Sequence, residues 1–348
     1  MTVQSTPSRP SSPASAGGRT FDASCEDNAT AAFAAARPKL LSIAYRMLGT
    51  MAEAEDVVGD VALRWLTVDH ATIVTPEAWL VTAVTRRALD VLKSARRQRE
   101  QYPGVWLPEP VATGPSAGDQ LEQTDGLTIG FLLLLERLTP IERAVFVLHD
   151  VLDHSHSEVA DALGRSEAAC RQALSRARRH VRDGSGDAPA DAGQAGADIA
   201  VAAEAAQQML IAVMSGDPEG LLATLAPDVV VLSDGGGVVH AALRPVVGPE
   251  KVGRLLGNLV RRIYASGDVQ MAQMEINGTV GFVMFGSGRW AATTVDVGAD
   301  GRVTAINMWL NPDKLERLVA SLPWAADNPA PSEGTGRFRH RRGAPVAP

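Results

Sequence analysis

Cysteine is almost missing from this chain: there are two in 348 residues, Cys25 and Cys170, far apart and in unrelated contexts. That count excludes a disulfide framework, the spacing is not that of metal ligands, and the usage points to a reducing cytoplasm. A surplus of positive charge is missing too. Forty acidic residues stand against 33 basic ones, a formal net charge of −7, so any case for nucleic-acid binding has to be local. No apolar run is long enough to span a bilayer; FLLLL at 131–135 is too short. The opening stretch MTVQSTPSRPSSPASAGG has no apolar centre and is not a secretory signal. No membrane association is expected. What is present is a normal globular mixture, 45% hydrophobic and 21% charged, in a chain long enough for two or three domains.

Composition shifts divide the chain. Residues 1–30 are rich in Ser, Pro, Ala and Gly, bury too little to offset ordering, and read as a disordered tail. Residues 31–100 are helical. LLSIAYRML (40–48) places Leu40, Ile43, Ala44 and Met47 on one stripe, and Gly49 ends it. Thr50 and Glu53 have capping-box spacing and open a helix to about Trp65, with Glu55, Asp56 and Asp60 outward and Val57, Val58 and Val61 inward. Thr75-Pro76 starts a third helix that ends near Arg97 in basic KSARRQR. Residues 101–126 read as an extended linker, although Trp106 and Leu107 need a surface to cover them.

Residues 127–182 return to helices. Thr139–Glu142 and Ser155–Glu158 are further capping boxes; a short helix ends at Gly164 and Ser166 caps the next, the layout of a helix-turn-helix. Residues 183–198 are a second, flexible linker. Residues 199–324 change grammar: helices, then strands with an Asn277-Gly278 hairpin turn, then a closing helix NPDKLERLVASL. That is an α+β layout with a curved antiparallel sheet. Residues 325–348 read as a disordered tail. The fold class is multidomain: two all-α domains followed by an α+β domain.

The segment GRSEAACRQALSRARRHVR (164–182) concentrates arginine in an acidic chain. On a helical wheel Cys170, Ala173, Leu174, Ala177 and Val181 share an inward face. Arg171, Arg178, Arg179 and Arg182 spread over the opposite arc with Arg176 at its edge, against a single acid, Glu167. Like charges this dense repel and are better tolerated beside phosphates. Arginine can also read guanine, and Gln172 adenine. A solvated charged face is the other reading.

YRMLGTMAEAEDVVGDVALRW with TPEAWLVTAVTRRALDVLKSARR resembles region 2 of bacterial extracytoplasmic-function (ECF) sigma factors, and LTPIERAVFVLHDVLDHSHSEVADALGRSEAACRQALSRARRHV resembles their region 4. WLPEP (106–110), Asp234-Gly-Gly-Gly and Asn311-Pro-Asp-Lys-Leu are similar to motifs of the group carrying a fused SnoaL-like, NTF2-like domain. Two departures stand out: Val238 where the group has Lys after the glycines, and Gly59-Asp60 where it has Gln-Glu.

The resemblance implies an alternative sigma factor that is not an enzyme and needs no cofactor. Its partners would be core RNA polymerase, through the β′ clamp helices and the β subunit, and promoter DNA. Glu55, Asp56 and Asp60 would face polymerase, unless they are an ordinary solvated face. Arg86, Arg87, Asp90, Lys93, Arg96 and Arg97 would serve the −10 element, with Asp90 reading a base or forming a structural salt bridge. Arg165, Ser166, Arg171, Gln172, Ser175, Arg176, Arg178 and Arg179 would serve the −35 element. Trp106, Leu107, Pro108, Glu109, Pro110, Asp234, Gly235, Gly236, Gly237, Asn311, Pro312, Asp313, Lys314 and Leu315 would join the fused domain to the rest and tune activity in cis.

A ligand-sensing helix-turn-helix regulator, with a small apolar ligand in the C-terminal cone, is a second reading, but it leaves residues 37–100 without a use. An isomerase or cyclase with a DNA-binding arm is a third. Its candidates, Asp228, Asp234, His240 and Asp296, form no convincing acid–base set. Asp234 before three glycines also suits a turn.

Overall fold

The computed structural model describes residues 23–114, 127–184, 199–264 and 269–328. Three helices come first: α1 (Ala23–Leu48), α2 (Met51–Trp65) and α3 (Pro76–Glu100). Helix α1 starts inside the segment expected to be a disordered tail, because an alanine-rich run there favours helix despite the preceding Ser and Pro. Thr50 does not complete the expected capping box. Its hydroxyl donates to Glu53 Oε2 at 2.7 Å, and the Met51 N–H is taken by Glu109 from the linker at 2.8 Å.

The linker is no free spacer. Leu107, Pro108, Glu109, Pro110 and Val111 are buried, and Ala112–Thr113 form strand β1. The second helical group holds α4 (Ile129–Glu136), α5 (Pro140–Phe146), a π turn (Val147–Val151), α6 (His156–Leu163) and α7 (Glu167–Gly184). Thr139 and Ser155 make full capping boxes, and Gly164, at φ 62°, turns α6 into α7.

The last group comprises α8 (Ile199–Ser215), α9 (Pro218–Thr224), β2 (Leu225–Asp234), β3 (Val246–Val247), α10 (Pro249–Tyr264), β4 (Val269–Ile276), β5 (Thr279–Gly286), β6 (Arg289–Val297), β7 (Val303–Trp309) and α11 (Pro312–Ala320). The sheet order is β1-β4-β5-β6-β7-β2-β3. It is mixed rather than antiparallel throughout, since β2 lies parallel to β7; the pair is separated in sequence by α10 and four strands, which gives the chain room to return in the same direction. Residues 325–328 are also ordered, with Asn328 accepting from Trp290 Nε1 and donating to Gln270.

Alternation along the strands gives the sheet two apolar faces. One packs Val229, Val231, Phe282, Val295, Ile306 and Met308 against α8, α9 and α10. The opposite face sends Ile276, Val283, Trp290 and Trp309 into one continuous core with Leu107 of the linker, Leu40 and Leu80 of the first helices, and Leu127, Ala144 and Ala177 of the second group. Three sequence segments therefore share a single interior.

Candidate functional site at the domain junction

The junction is built around Asp234, the last residue of β2. It is fully buried, and burying an unpaired carboxylate there would be prohibitive. Lys314 answers it from α11, with Nζ 2.7 Å from Oδ2. The Tyr102 hydroxyl donates to Oδ1 at 2.6 Å, the Leu107 N–H to Oδ2 at 3.0 Å, and the Gly236 N–H to Oδ1 at 3.0 Å. Lys314 Nζ also donates to the Leu107 carbonyl and lies 4.3 Å from the Trp106 ring centroid. Burial lowers the Lys314 pKa, against the pull of Asp234. The Tyr102 phenol is pushed up by burial and by its bond to Asp234.

The glycines have a steric reason. Gly236 and Gly237 take φ of 63° and 72°. A Cβ at Gly236 would sit 2.5 Å from the Asn311 side chain, and one at Gly237 would sit 2.6 Å from Pro103. Asn311 caps α11, its Oδ1 accepting from Asp313 N–H while its Nδ2 donates to Tyr102. Pro312 is the first residue of α11, and Leu315 is buried. The three motif groups thus meet in one place.

Glu109 carries the junction into α2. Its N–H donates to Gly49 O at 2.8 Å and its carbonyl accepts from the Tyr45 hydroxyl at 2.7 Å. Its carboxylate caps Met51 and lies 3.5 Å from Arg317. Burial raises its pKa, opposed in part by the Met51 N–H and Arg317. Trp309 Nε1 donates to Pro108 O at 2.7 Å.

Arg317 reaches further, forking over both oxygens of Glu55 with Nη1 2.9 Å from Oε1. Glu55 is therefore engaged by the C-terminal domain. Asp60 is paired with Arg87 at 2.7 Å. Asp56 is exposed and makes no ion pair with a described residue.

A second set of contacts ties the two helical groups together. Glu136 of α4 sits between Arg99 (2.6 Å) and the buried Arg143 (2.5 Å). Burial would raise its pKa, but the two guanidiniums outweigh burial and lower it. Arg99 also donates to Leu48 O and covers Trp106 at 4.0 Å. Arg86, expected at the −10 element, donates here to Ala162 O (2.7 Å) and Asp161 O (2.9 Å) at the carbonyl end of α6, where a helix favours a cation. Asp90 pairs with Lys93 at 3.0 Å, and Arg96 donates to Leu138 O at 3.3 Å. The Arg97 side chain lies outside the described residues.

On α7 every residue expected at DNA is exposed. Ser166 caps the helix through Ala169 N–H, and Arg171 pairs with Glu167. Arg176 and Arg178 are less available than their exposure suggests. Arg176 is 2.9 Å from Glu142, and Arg178 forks onto Asp150 at 2.8 and 2.7 Å. Arg165 and Arg179 make no ion pair, and Gln172 and Ser175 no side-chain bond, with another described residue. Cys170 is buried.

Sequence reasoning missed Tyr45, Arg99, Tyr102, Glu136, Asn277 and Arg317. Asn277 was legible only as a turn residue. Its Oδ1 accepts from Val111 N–H (2.9 Å), and its Nδ2 donates to the Tyr45 hydroxyl (2.8 Å) and Leu127 O (3.1 Å). One hairpin tip so touches the linker and both helical groups.

An arginine-rich helix-turn-helix packed on an acid-faced helical group is the build of a transcription initiation factor of the sigma-70 class. Residues 32–98 match Sigma-70 region 2 and residues 130–181 match Sigma-70, region 4. ECF RNA polymerase sigma factor SigJ of Mycobacterium tuberculosis is 38% identical over 324 residues, 89% of this chain and 98% of that protein. Probable ECF RNA polymerase sigma factor SigI of the same species is 30% identical over 306 residues, 85% of this chain and 98% of that protein. The crystal structure of M. tuberculosis SigJ matches with a TM-score of 0.66 at 34% identity, covering 83% of this chain and 98% of that one. The chain belongs to the ECF RNA polymerase sigma factors and is an alternative sigma factor with a C-terminal sheet domain.

Proposed function

We propose that this sigma factor is held shut by its own C-terminal domain and opens when it engages core polymerase and promoter DNA. The observation that carries this is the Arg317 fork on Glu55. Glu55, with Asp56 and Asp60, is the surface we assign to the β′ clamp helices, so Arg317 stands where a basic polymerase group would. Arg165, Gln172, Ser175 and Arg179 are ready for the −35 element. Arg171, Arg176 and Arg178 join them by exchanging acids for phosphates. Arg86, Arg87, Asp90, Lys93, Arg96 and Arg97 serve the −10 element, Arg86 once it has left α6.

Closure also separates this state from a promoter-bound one. The two elements, by their names, lie about 25 base pairs apart, roughly 85 Å of duplex at ~3.4 Å per base pair. Here α3 and α6 are in direct hydrogen-bonded contact through Arg86. Both elements are reached only after the helical groups part.

The C-terminal domain works as a gauge and not as a catalyst. Asp228 and His240 are exposed, Asp234 is bound to Lys314, and Asp296 lies on β6 against Asn307. Phe282, Val295, Ile306 and Met308 pack against the helices of this domain as its own apolar core. The factor acts in the cytoplasm, beside core polymerase; no described helix is long and apolar enough to cross a membrane.

The test compares core-polymerase binding and initiation on fragmented genomic DNA for the full chain, Arg317→Gln, and a chain ending after Arg182. Tighter core binding by the second and third supports closure in cis. Equal binding by all three refutes it.

A further inference from the structure

Helix α10 carries a basic stripe with no use in either the junction or the sigma regions. Lys251, Arg254, Arg261 and Arg262 are all exposed, as is Asn258 between them. At 100° per residue these five fall within an arc of about 100°. The opposite side of the helix, Val252 and Leu256, is buried against the sheet.

Several exposed arginines elsewhere find acids: Arg87 with Asp60, Arg176 with Glu142, Arg178 with Asp150, Arg317 with Glu55; Arg165 and Arg179, which lie on the face assigned to DNA, find none among the described residues. The four cations of α10 make no ion pair with any described residue. Arg254 donates to the Glu250 carbonyl at 3.3 Å and Arg261 to Asn258. In a chain with a net charge of −7, a helix face that carries four cations with a single acid, Glu250, at its edge is suited to an external polyanion.

We propose that this face of α10 is a second DNA contact, gripping the phosphate backbone of duplex beside the site held by region 4. Tethering favours DNA over other polyanions. Fourteen residues, 185–198, join the end of α7 to α8, and such a length spans at most about 50 Å even when fully extended. Whenever α7 lies in the −35 element, α10 is therefore confined near the same duplex, at the high effective concentration that a short tether gives. The stripe from Lys251 to Arg262 is about 17 Å long, close to half a turn of duplex. A membrane surface fits less well, because the apolar side of α10 is already buried and has nothing left to insert. A face that grips phosphates adds affinity and position, and leaves sequence choice to region 4.

The test measures binding of the full chain to a 40-base-pair duplex by fluorescence anisotropy across a salt series. The wild type is compared with Lys251→Gln/Arg254→Gln/Arg261→Gln and with Arg254→Lys/Arg261→Lys, each checked for an unchanged thermal transition. Three lost phosphate contacts make the slope of log K against log[salt] shallower by about 2–3. The lysine variant keeps the wild-type slope. The same slope in the glutamine variant overturns the proposal, as does failure of the wild-type chain to bind duplex at low salt. Loss of binding to phosphatidylcholine–phosphatidylglycerol vesicles, with the duplex slope unchanged, assigns the stripe to a membrane and equally overturns it.

Discussion

Replacing Lys314 by methionine isolates the energetics of the junction. Methionine keeps the stem and removes the ammonium, leaving the Asp234 carboxylate fully buried without its cation. Three donors remain, from Tyr102, Leu107 and Gly236, but none carries charge. Breaking one side of a buried pair costs about 3–5 kcal/mol, whereas replacing both sides with neutral groups is far cheaper. Lys314→Met is therefore expected to lose about 3–5 kcal/mol in urea unfolding of the full chain. Asp234→Asn/Lys314→Met should recover at least about 2 kcal/mol of that, an interaction energy measurable by a double-mutant cycle. The backbone between Tyr102 and Val111 should become cleavable by protease in the single variant, since Leu107 and Glu109 lose their clamp. Core polymerase should bind that variant more tightly. A loss below about 1 kcal/mol, with the linker still protected, would refute the argument that this pair governs closure.

Asn277→Gly keeps the positive φ of 52° at the hairpin but deletes three bonds to the linker and both helical groups; leaving the Val111 N–H and Leu127 carbonyl unpaired should cost about 2–4 kcal/mol in urea unfolding. Asp296 is pushed up to about 6 by burial, with the Asn307 amide opposing. A raised carboxyl binds more protons folded than unfolded between pH 4 and 6, so it favours the folded state at acid pH and loses that contribution as pH rises. Asp296→Asn should therefore stabilise the chain at pH 7 by up to about 2–3 kcal/mol, an advantage that vanishes below pH 4 in denaturant titrations; a pH-independent difference would count against this. Arg179→Ala should weaken duplex binding with stability unchanged within about 0.5 kcal/mol. Arg178→Ala should also destabilise region 4, because it strips the fork from Asp150; thermal melts of the two variants separate these outcomes.

Local chemistry was enough to read much of this protein in one dimension. Caps at Thr139 and Ser155, the turn at Gly164 and the 3.6-residue apolar stripes are decided by neighbours within a few positions, and each stands where the sequence put it. The arginine face of α7 was legible for the same reason. The family resemblance also implied that Asp234, Lys314 and Glu109 belong together, without saying how. What the folded chain alone decided is who meets whom across long separations. Thr50 and Glu53 had the right spacing for a box, yet the Thr50 hydroxyl turns onto the Glu53 carboxylate, and Glu109, 58 residues from Met51, caps the helix through the Met51 N–H. Arg86 and Arg317 look like any exposed arginines until the fold brings the carbonyl end of α6 to one and Glu55 to the other. Asn277 met the demands of its turn, and nothing local marks the three chain segments it joins. Side-chain periodicity reports which face is buried; the identity of the partner is set by how separate elements pack into one core, a many-body choice that no short window of sequence contains.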